Sequence, residues 1–137
     1  MVEHRPGFRF PRAHRLRGRR AFGAVYAARL RRDVGPLTMY GRANGLPHLR
    51  VGLSVSRRVG TAVYRNRIKR LLREAYRLDR HRMPTGYDLI VIVRRHEALL
   101  LEEYRQLFRR GVEGLDHAAR RREQQPGSLD GDTSMNQ

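Results

Sequence analysis

Residues 50–80 read RVGLSVSRRVGTAVYRNRIKRLLREAYRLDR, and the change of period inside this stretch decides the fold. Arg50 to Ser56 alternates. Val51, Leu53 and Val55 fall on one side and Gly52, Ser54 and Ser56 on the other, which is a strand with one apolar face and one face of small residues. Past Val59-Gly60 the period lengthens. Thr61 is placed to cap a helix running from about Ala62 to Arg80. At 100° per residue, Ile68, Leu71, Leu72 and Ala75 gather within roughly a 100° arc. Arg65, Asn66, Lys69, Arg70, Arg73 and Arg77 take the opposite side, within about 140°. The stretch therefore predicts a strand followed by a helix that buries one stripe and presents cations along the other.

Working outward, apolar residues Phe22, Val25, Tyr26 and Leu30 recur at helical spacing, so a first helix is expected over Arg19 to Leu30. Asp33-Val34-Gly35-Pro36 ends it. Leu37 to Arg42 reads as a strand and Asn44-Gly45 as a turn, which predicts a hairpin between residues 37–42 and 50–56. Beyond the Pro84-Thr85-Gly86 loop, the unbroken apolar run Tyr87 to Val93 suits a strand buried on both faces. Leu101, Tyr104, Leu107, Phe108, Val112 and Leu115 mark a last amphipathic helix. Residues 1–17 read as an extended basic arm, 18–115 as the folded domain, and 116–137 as a disordered tail poor in apolar side chains.

The charge balance points to a polyanion. Thirty basic residues face 13 acidic ones, for a formal charge of +17, an electrostatic footprint that matches nucleic acid. Lys69 is the sole lysine, and arginine forks onto phosphate and stacks on bases, which favours nucleic acid over a membrane surface. Glu74 is the only carboxylate between Asp33 and Asp79, so the cationic helix face lacks neutralising partners in sequence. RNA contact is the reading of that face; idle solvation is its rival. Cysteine is absent, which excludes disulfides and thiolate chemistry. The aliphatic run Leu89 to Val93 is far short of the roughly 20 residues of a membrane helix, so the cytoplasm is the expected location. No two histidines stand at the spacing of a helical metal site. Arg95-His96-Glu97 reads as a solvated turn, and Glu102-Glu103 as partners of a helix N-terminus. Catalysis by this chain's own residues has little to stand on.

Arg65-Asn66-Arg67 followed by Ile68-Lys69-Arg70-Leu71, set behind the strand at Arg50 and the Val59-Gly60-Thr61-Ala62-Val63 linker, resembles the RNR motif of bacterial ribonuclease P proteins. The likeness spans about Phe10 to Leu115 and takes in Phe22, Val25-Tyr26 and Tyr40. It implies an α+β fold: a small, mostly antiparallel sheet packed with three helices in the order α-β-β-β-α-β-α. That is one strand more than the residues themselves assign. It also implies a left-handed β-α-β crossover, against the general right-handed rule. The function implied is that of an endoribonuclease's protein subunit, which partners a catalytic RNA and binds precursor tRNA while the 5′ leader is removed. No catalytic residue or metal is expected on the protein, and Mg²⁺ is expected on the RNA. No membrane and no obligate protein partner are implied. By the same resemblance Arg57, Arg58, Arg65, Asn66, Arg67, Lys69, Arg70 and Arg73 contact the RNA subunit. Phe22, Tyr26, Tyr40 and Ser54 line a cleft for the single-stranded leader. Core packing is the rival reading at the three aromatic positions. For the whole chain the rivals are a ribosomal or ribosome-assembly protein and an autonomous nuclease.

Overall fold

The structure, a computed structural model, describes residues 11–124. Helix α1 (Arg19–Ala27) is followed by strands β1 (Leu30–Val34), β2 (Leu37–Ala43) and β3 (Arg50–Val55). Helix α2 (Ala62–Asp79), strand β4 (Tyr87–Val93) and helix α3 (Leu101–Gln124) complete the chain, with short 3-10 turns at Arg12–His14, Arg57–Val59 and Arg80–Arg82. The α+β class and the α-β-β-β-α-β-α order are as expected.

The sheet runs β1-β2-β4-β3, antiparallel except for the β3/β4 pair. The expected hairpin between the second and third strands does not form. Asn44-Gly45 does turn the chain, with the Asn44 side-chain oxygen accepting from Leu46 N at 2.8 Å and Gly45 at φ 71°. The following residues then carry β3 past the place that β4 later fills. The all-apolar β4 gains most from that central slot, where both of its faces are covered. The hairpin that does form joins β1 and β2 through Gly35-Pro36, with Gly35 at φ 55°.

The first helix also stops earlier than its periodicity suggests. Arg29 adopts φ 56°, which breaks the helix, and Leu30 opens β1 instead. Strand alternation then sorts the sheet into two faces. Leu37, Met39, Val51, Leu89, Val91 and Val93 pack under α2 and α3, against Ile68, Leu72, Tyr76, Tyr104, Phe108 and Val112. The other face carries Tyr40, Gly52, Ser54, Ile90 and Ile92; among the described residues α1 and the segment before it lie on this face, closing over Ile90 with Val25 and Leu16.

Two terminal expectations change. Helix α3 continues nine residues past Leu115, through part of the expected tail. Asp116 accepts from the Tyr87 hydroxyl at 2.6 Å, and Arg122 donates to the Ala28 and Arg29 carbonyls at the end of α1. These contacts satisfy carbonyls that the helix end leaves without partners. In the expected arm, Arg15 bridges to Val51 alongside β3 and Leu16 is buried. The remaining parts of the expected arm and tail, residues 1–10 and 125–137, lie outside the described residues. Among the described residues no helix is long and apolar enough to cross a membrane.

Candidate nucleic-acid interface

The half-covered face of the sheet is the first part of the site. Tyr40 on β2 and Tyr26 on α1 meet edge to face, with ring centroids 4.9 Å apart. Tyr26 keeps 39% of its surface exposed, and Tyr40 is half-buried. The Arg31 guanidinium lies 5.7 Å from the Tyr40 ring centroid and extends the pair with a cation. Ser54 stands beside Ile92 in the parallel register, and both are half-buried. Phe22 packs one turn before Tyr26, over Gly52. All four residues predicted for the cleft are therefore brought to one face. The core-packing alternative holds for part of Phe22 and fits Tyr26 poorly.

The second part is the outer side of α2. Its N-terminus is capped as expected, Tyr64 N donating to the Thr61 hydroxyl at 3.2 Å. Ile68, Leu72 and Ala75 are buried, whereas Asn66, Arg67, Arg70 and Arg73 are exposed and Lys69 is half-buried. Arg57 and Arg58 are exposed on the turn after β3. Arg65 differs from the others, since one of its guanidinium N–H groups donates to the Gly60 carbonyl at 2.8 Å and fixes the loop that enters the helix. Among the described residues, carboxylates pair with Arg31, Arg50, Arg77, Arg94, Arg105, Arg109 and Arg120 rather than with these α2 cations, Arg77 excepted. Glu74, the one acid of α2 before Asp79 at its end, sits on Arg77 at 2.6 Å.

The two parts meet. A cavity of about 230 Å³ is lined by Phe22, Val51 and Leu53, by Lys69 and Arg73 from α2, and by Arg15, Leu16 and Arg17 from the segment before α1. Burial, and after it the neighbouring Arg15, pulls the Arg73 pKa below the usual arginine range. Cations that face one another across an open cavity are arranged for an anion between them.

The chain's relatives identify its family. The family profile named Ribonuclease P matches residues 10–116. The chain belongs to the ribonuclease P protein family. The ribonuclease P protein component of Desulfovibrio desulfuricans is 41% identical over 88 residues, covering 63% of this chain and 68% of that protein. That of Photorhabdus laumondii is 41% identical over 92 residues, covering 66% and 76%. Among solved structures, the RNase P protein from Thermotoga maritima aligns with a TM-score of 0.63 at 30% identity, over 69% of this chain and 90% of its own. The Staphylococcus aureus RNase P protein aligns with a TM-score of 0.66 at 26% identity, over 74% and 94%. As a ribonuclease P protein subunit, the chain takes part with the RNA subunit in processing the 5′ leader of tRNA, and the ribosomal reading falls away.

Several features of this ribonuclease P protein were hidden in its sequence. Ile92 forms apolar floor between Ser54 and a second cavity of about 510 Å³, rimmed by Arg58, Arg94 and Arg95. Arg94 is tied to Thr38 at 2.8 Å and to the Gly35 carbonyl. His96, expected in a solvated turn, is a corner post instead. Its Nδ1 donates to the Arg94 carbonyl at 2.7 Å, its Nε2 accepts from the Tyr104 hydroxyl at 2.7 Å, and its carbonyl accepts from the Tyr64 hydroxyl. Glu103 accepts from Leu100 N at 2.9 Å, the N-terminal role expected of it. Among the described residues no group of three or more His, Cys, Asp or Glu side chains is placed to hold a metal ion.

Gly52 is where cleft and core compete for space. A Cβ there would lie 2.5 Å from Phe22 Cζ and 3.3 Å from the Leu16 carbonyl oxygen. Gly52→Ala is expected to push the Phe22 ring off the strand and to cost about 1–3 kcal/mol of stability. Urea denaturation measures that loss, and an unchanged midpoint would mean that the ring moves aside without cost.

Proposed function

We propose that the half-covered sheet face grips the single-stranded 5′ leader of precursor tRNA, while the outer side of α2 docks on the RNA subunit. Phe22, Tyr26, Tyr40 and Ser54 hold the leader. Arg57, Arg58, Arg65, Asn66, Arg67, Lys69, Arg70 and Arg73 meet the RNA subunit, and Lys69 and Arg73, at the cavity, lie where the two surfaces join. The carrying observation is the edge-to-face Tyr26–Tyr40 pair, left open on a sheet face whose neighbouring Phe22 also lines a cationic cavity. Leaders differ in sequence, so the cleft works through features every strand has: aromatic faces that stack on any base and cations that neutralise any phosphate. Gripping the leader separates precursor from mature tRNA, because the product has lost that segment. Such binding raises precursor affinity and leaves the chemical step unaccelerated.

In this reading the cleavage chemistry and its Mg²⁺ reside on the RNA subunit, and the protein acts in the cytoplasm. The chain contributes neither a nucleophile nor a metal ligand. Its arginines reduce repulsion between two large RNAs, so less Mg²⁺ is needed for assembly. Tyr40→Ala tests the cleft. Losing one base stack, worth about 1–3 kcal/mol, is expected to weaken holoenzyme binding of precursor roughly tenfold. Binding of leaderless tRNA and assembly with the RNA subunit are expected to stay as they were. Equal weakening for precursor and mature tRNA would remove the leader from this face.

A further inference from the structure

The segment before α1 lacks a helical or strand period, yet it is fastened at three points. Leu16 is buried, and its N–H donates to the Val51 carbonyl at 3.0 Å. Arg15 bridges to β3. The third fastening is a ring stack in which His14 lies on His48 of the β2–β3 loop, centroids 4.2 Å apart and planes 9° from parallel. Behind the stack, His14 Nδ1 is hydrogen-bonded to the hydroxyl of Tyr76, a buried α2 side chain. The Arg80 guanidinium is a further partner of the same hydroxyl. His48 donates from its own Nδ1 to the Leu49 carbonyl at 2.9 Å. Two imidazoles with fixed hydrogen bonds thus pin the chain immediately before Arg15-Leu16-Arg17.

What they pin is one wall of the cationic cavity. Arg15 and Arg17 line it from this segment, opposite Lys69 and Arg73 of α2, with Phe22 alongside. An opening with arginines on one side, cations on the other and an aromatic ring beside it has the composition of a single-strand site.

We propose that Arg15 and Arg17 bind backbone phosphate of the leader in this cavity, and that the His14–His48 stack is the latch that holds them in position. The inference rests on the reading of the sheet face as the leader cleft and extends it by one wall. His14 and His48 act as positioning residues, since neither lines the cavity. The groups that face His14 are His48, Tyr76 and Arg80, with His81 lining the same hollow. Burial first, then His48 and Arg80, lower the His14 pKa, so the docked latch favours the neutral ring and acidification works against docking.

The test uses the full chain assembled with its RNA subunit, and follows two readouts. One is precursor affinity as a function of leader length. The other is amide hydrogen exchange of Leu16 in the protein, with the Val91 amide as internal reference for the intact sheet. Arg17→Ala is expected to weaken binding of long-leader precursor about five- to tenfold and to leave leaderless tRNA unaffected. His48→Ala is expected to speed Leu16 exchange at least tenfold with Val91 unchanged, and to weaken long-leader binding. His48→Phe restores a stacking face and is expected to restore both. Unchanged Leu16 exchange in His48→Ala overturns the latch. Unchanged leader affinity in Arg17→Ala, with Tyr40→Ala still effective, overturns the cavity assignment alone. Should neither Arg17→Ala nor Tyr40→Ala alter leader binding, the cleft reading itself fails.

Discussion

Asp79→Ala is expected to lower the stability of the fold by about 2–3 kcal/mol, the largest single-site loss predicted for this chain. Asp79 ends α2, fully buried, and receives two hydrogen bonds from Arg105 of α3, at 2.8 and 3.1 Å. Arg109 approaches the same carboxylate at 3.5 Å, and its Nε is buried with no hydrogen-bond partner. Removing the carboxylate leaves two guanidinium groups confronting each other at the α2–α3 junction. Because they retain 25% and 30% of their side-chain exposure, water takes up part of the loss and the cost stays below that of a fully sealed pair. The hydrogen bonds from Arg105 hold the Asp79 carboxyl below the usual carboxylate range, against the opposing effect of burial. A carboxyl depressed on folding stabilises above its unfolded value, near 4, and loses that contribution as pH falls through its folded value. The stability gap between the parent and Asp79→Asn is therefore expected to be constant above about pH 5 and to close below about pH 4. A gap that instead widened in acid would contradict the ion-pair assignment. Chemical denaturation across pH measures it.

Arg67→Ala combined with Arg70→Ala is expected to weaken binding to the RNA subunit roughly a hundredfold, about tenfold for each charge-assisted phosphate contact. Both side chains are exposed on α2, so the fold is expected to keep its stability. The salt dependence is the sharper signature. Each lost phosphate contact should reduce the slope of log affinity against log salt by about one, so the double variant should fall by about two. Arg65→Ala is expected to behave differently, because its donation to the Gly60 carbonyl makes it partly a loop fastener. A double variant with reduced affinity but an unaltered slope would mean that Arg67 and Arg70 act through shape and not through phosphate.

The stretch from Arg50 to Arg80 was legible because its signals are local. Alternation from Val51 to Val55, the Thr61 cap and the stripe of Ile68, Leu72 and Ala75 each depend on residues within a few positions of one another. Partner choice among strands is a different matter. The Asn44-Gly45 turn suggested that β3 returns along β2, but the pairing is settled by β4, whose side chains need cover on both faces. β1 was concealed because Arg31, Arg32 and Asp33 look like the end of a helix, and only Arg29 in a left-handed conformation separates the two elements. The last turns of α3 resemble a tail in sequence because Ala118 and Ala119 are the only apolar residues there. What holds them is polar: Tyr87 to Asp116, and Arg122 to the end of α1. In the site, the cationic helix face was visible from spacing, and the aromatic cleft from resemblance to a family. Arg15, Arg17 and Ile92 carry no such signal, because what brings them to the cavities is packing between segments distant in sequence, which no periodicity records.

The central place of β4 has a consequence for how the protein comes into being. Of the four strands it is synthesised last, yet β2 and β3 are joined only through it, Leu37 and Val55 both lying opposite Val93. A nascent chain that has not reached Tyr87 holds a lone two-stranded ribbon, an unpaired third strand and a basic helix with nothing to shelter its apolar stripe. Assembly thus waits for closure of long chain loops, whose entropy must be overcome before any reward arrives, and proceeds as one late, concerted event.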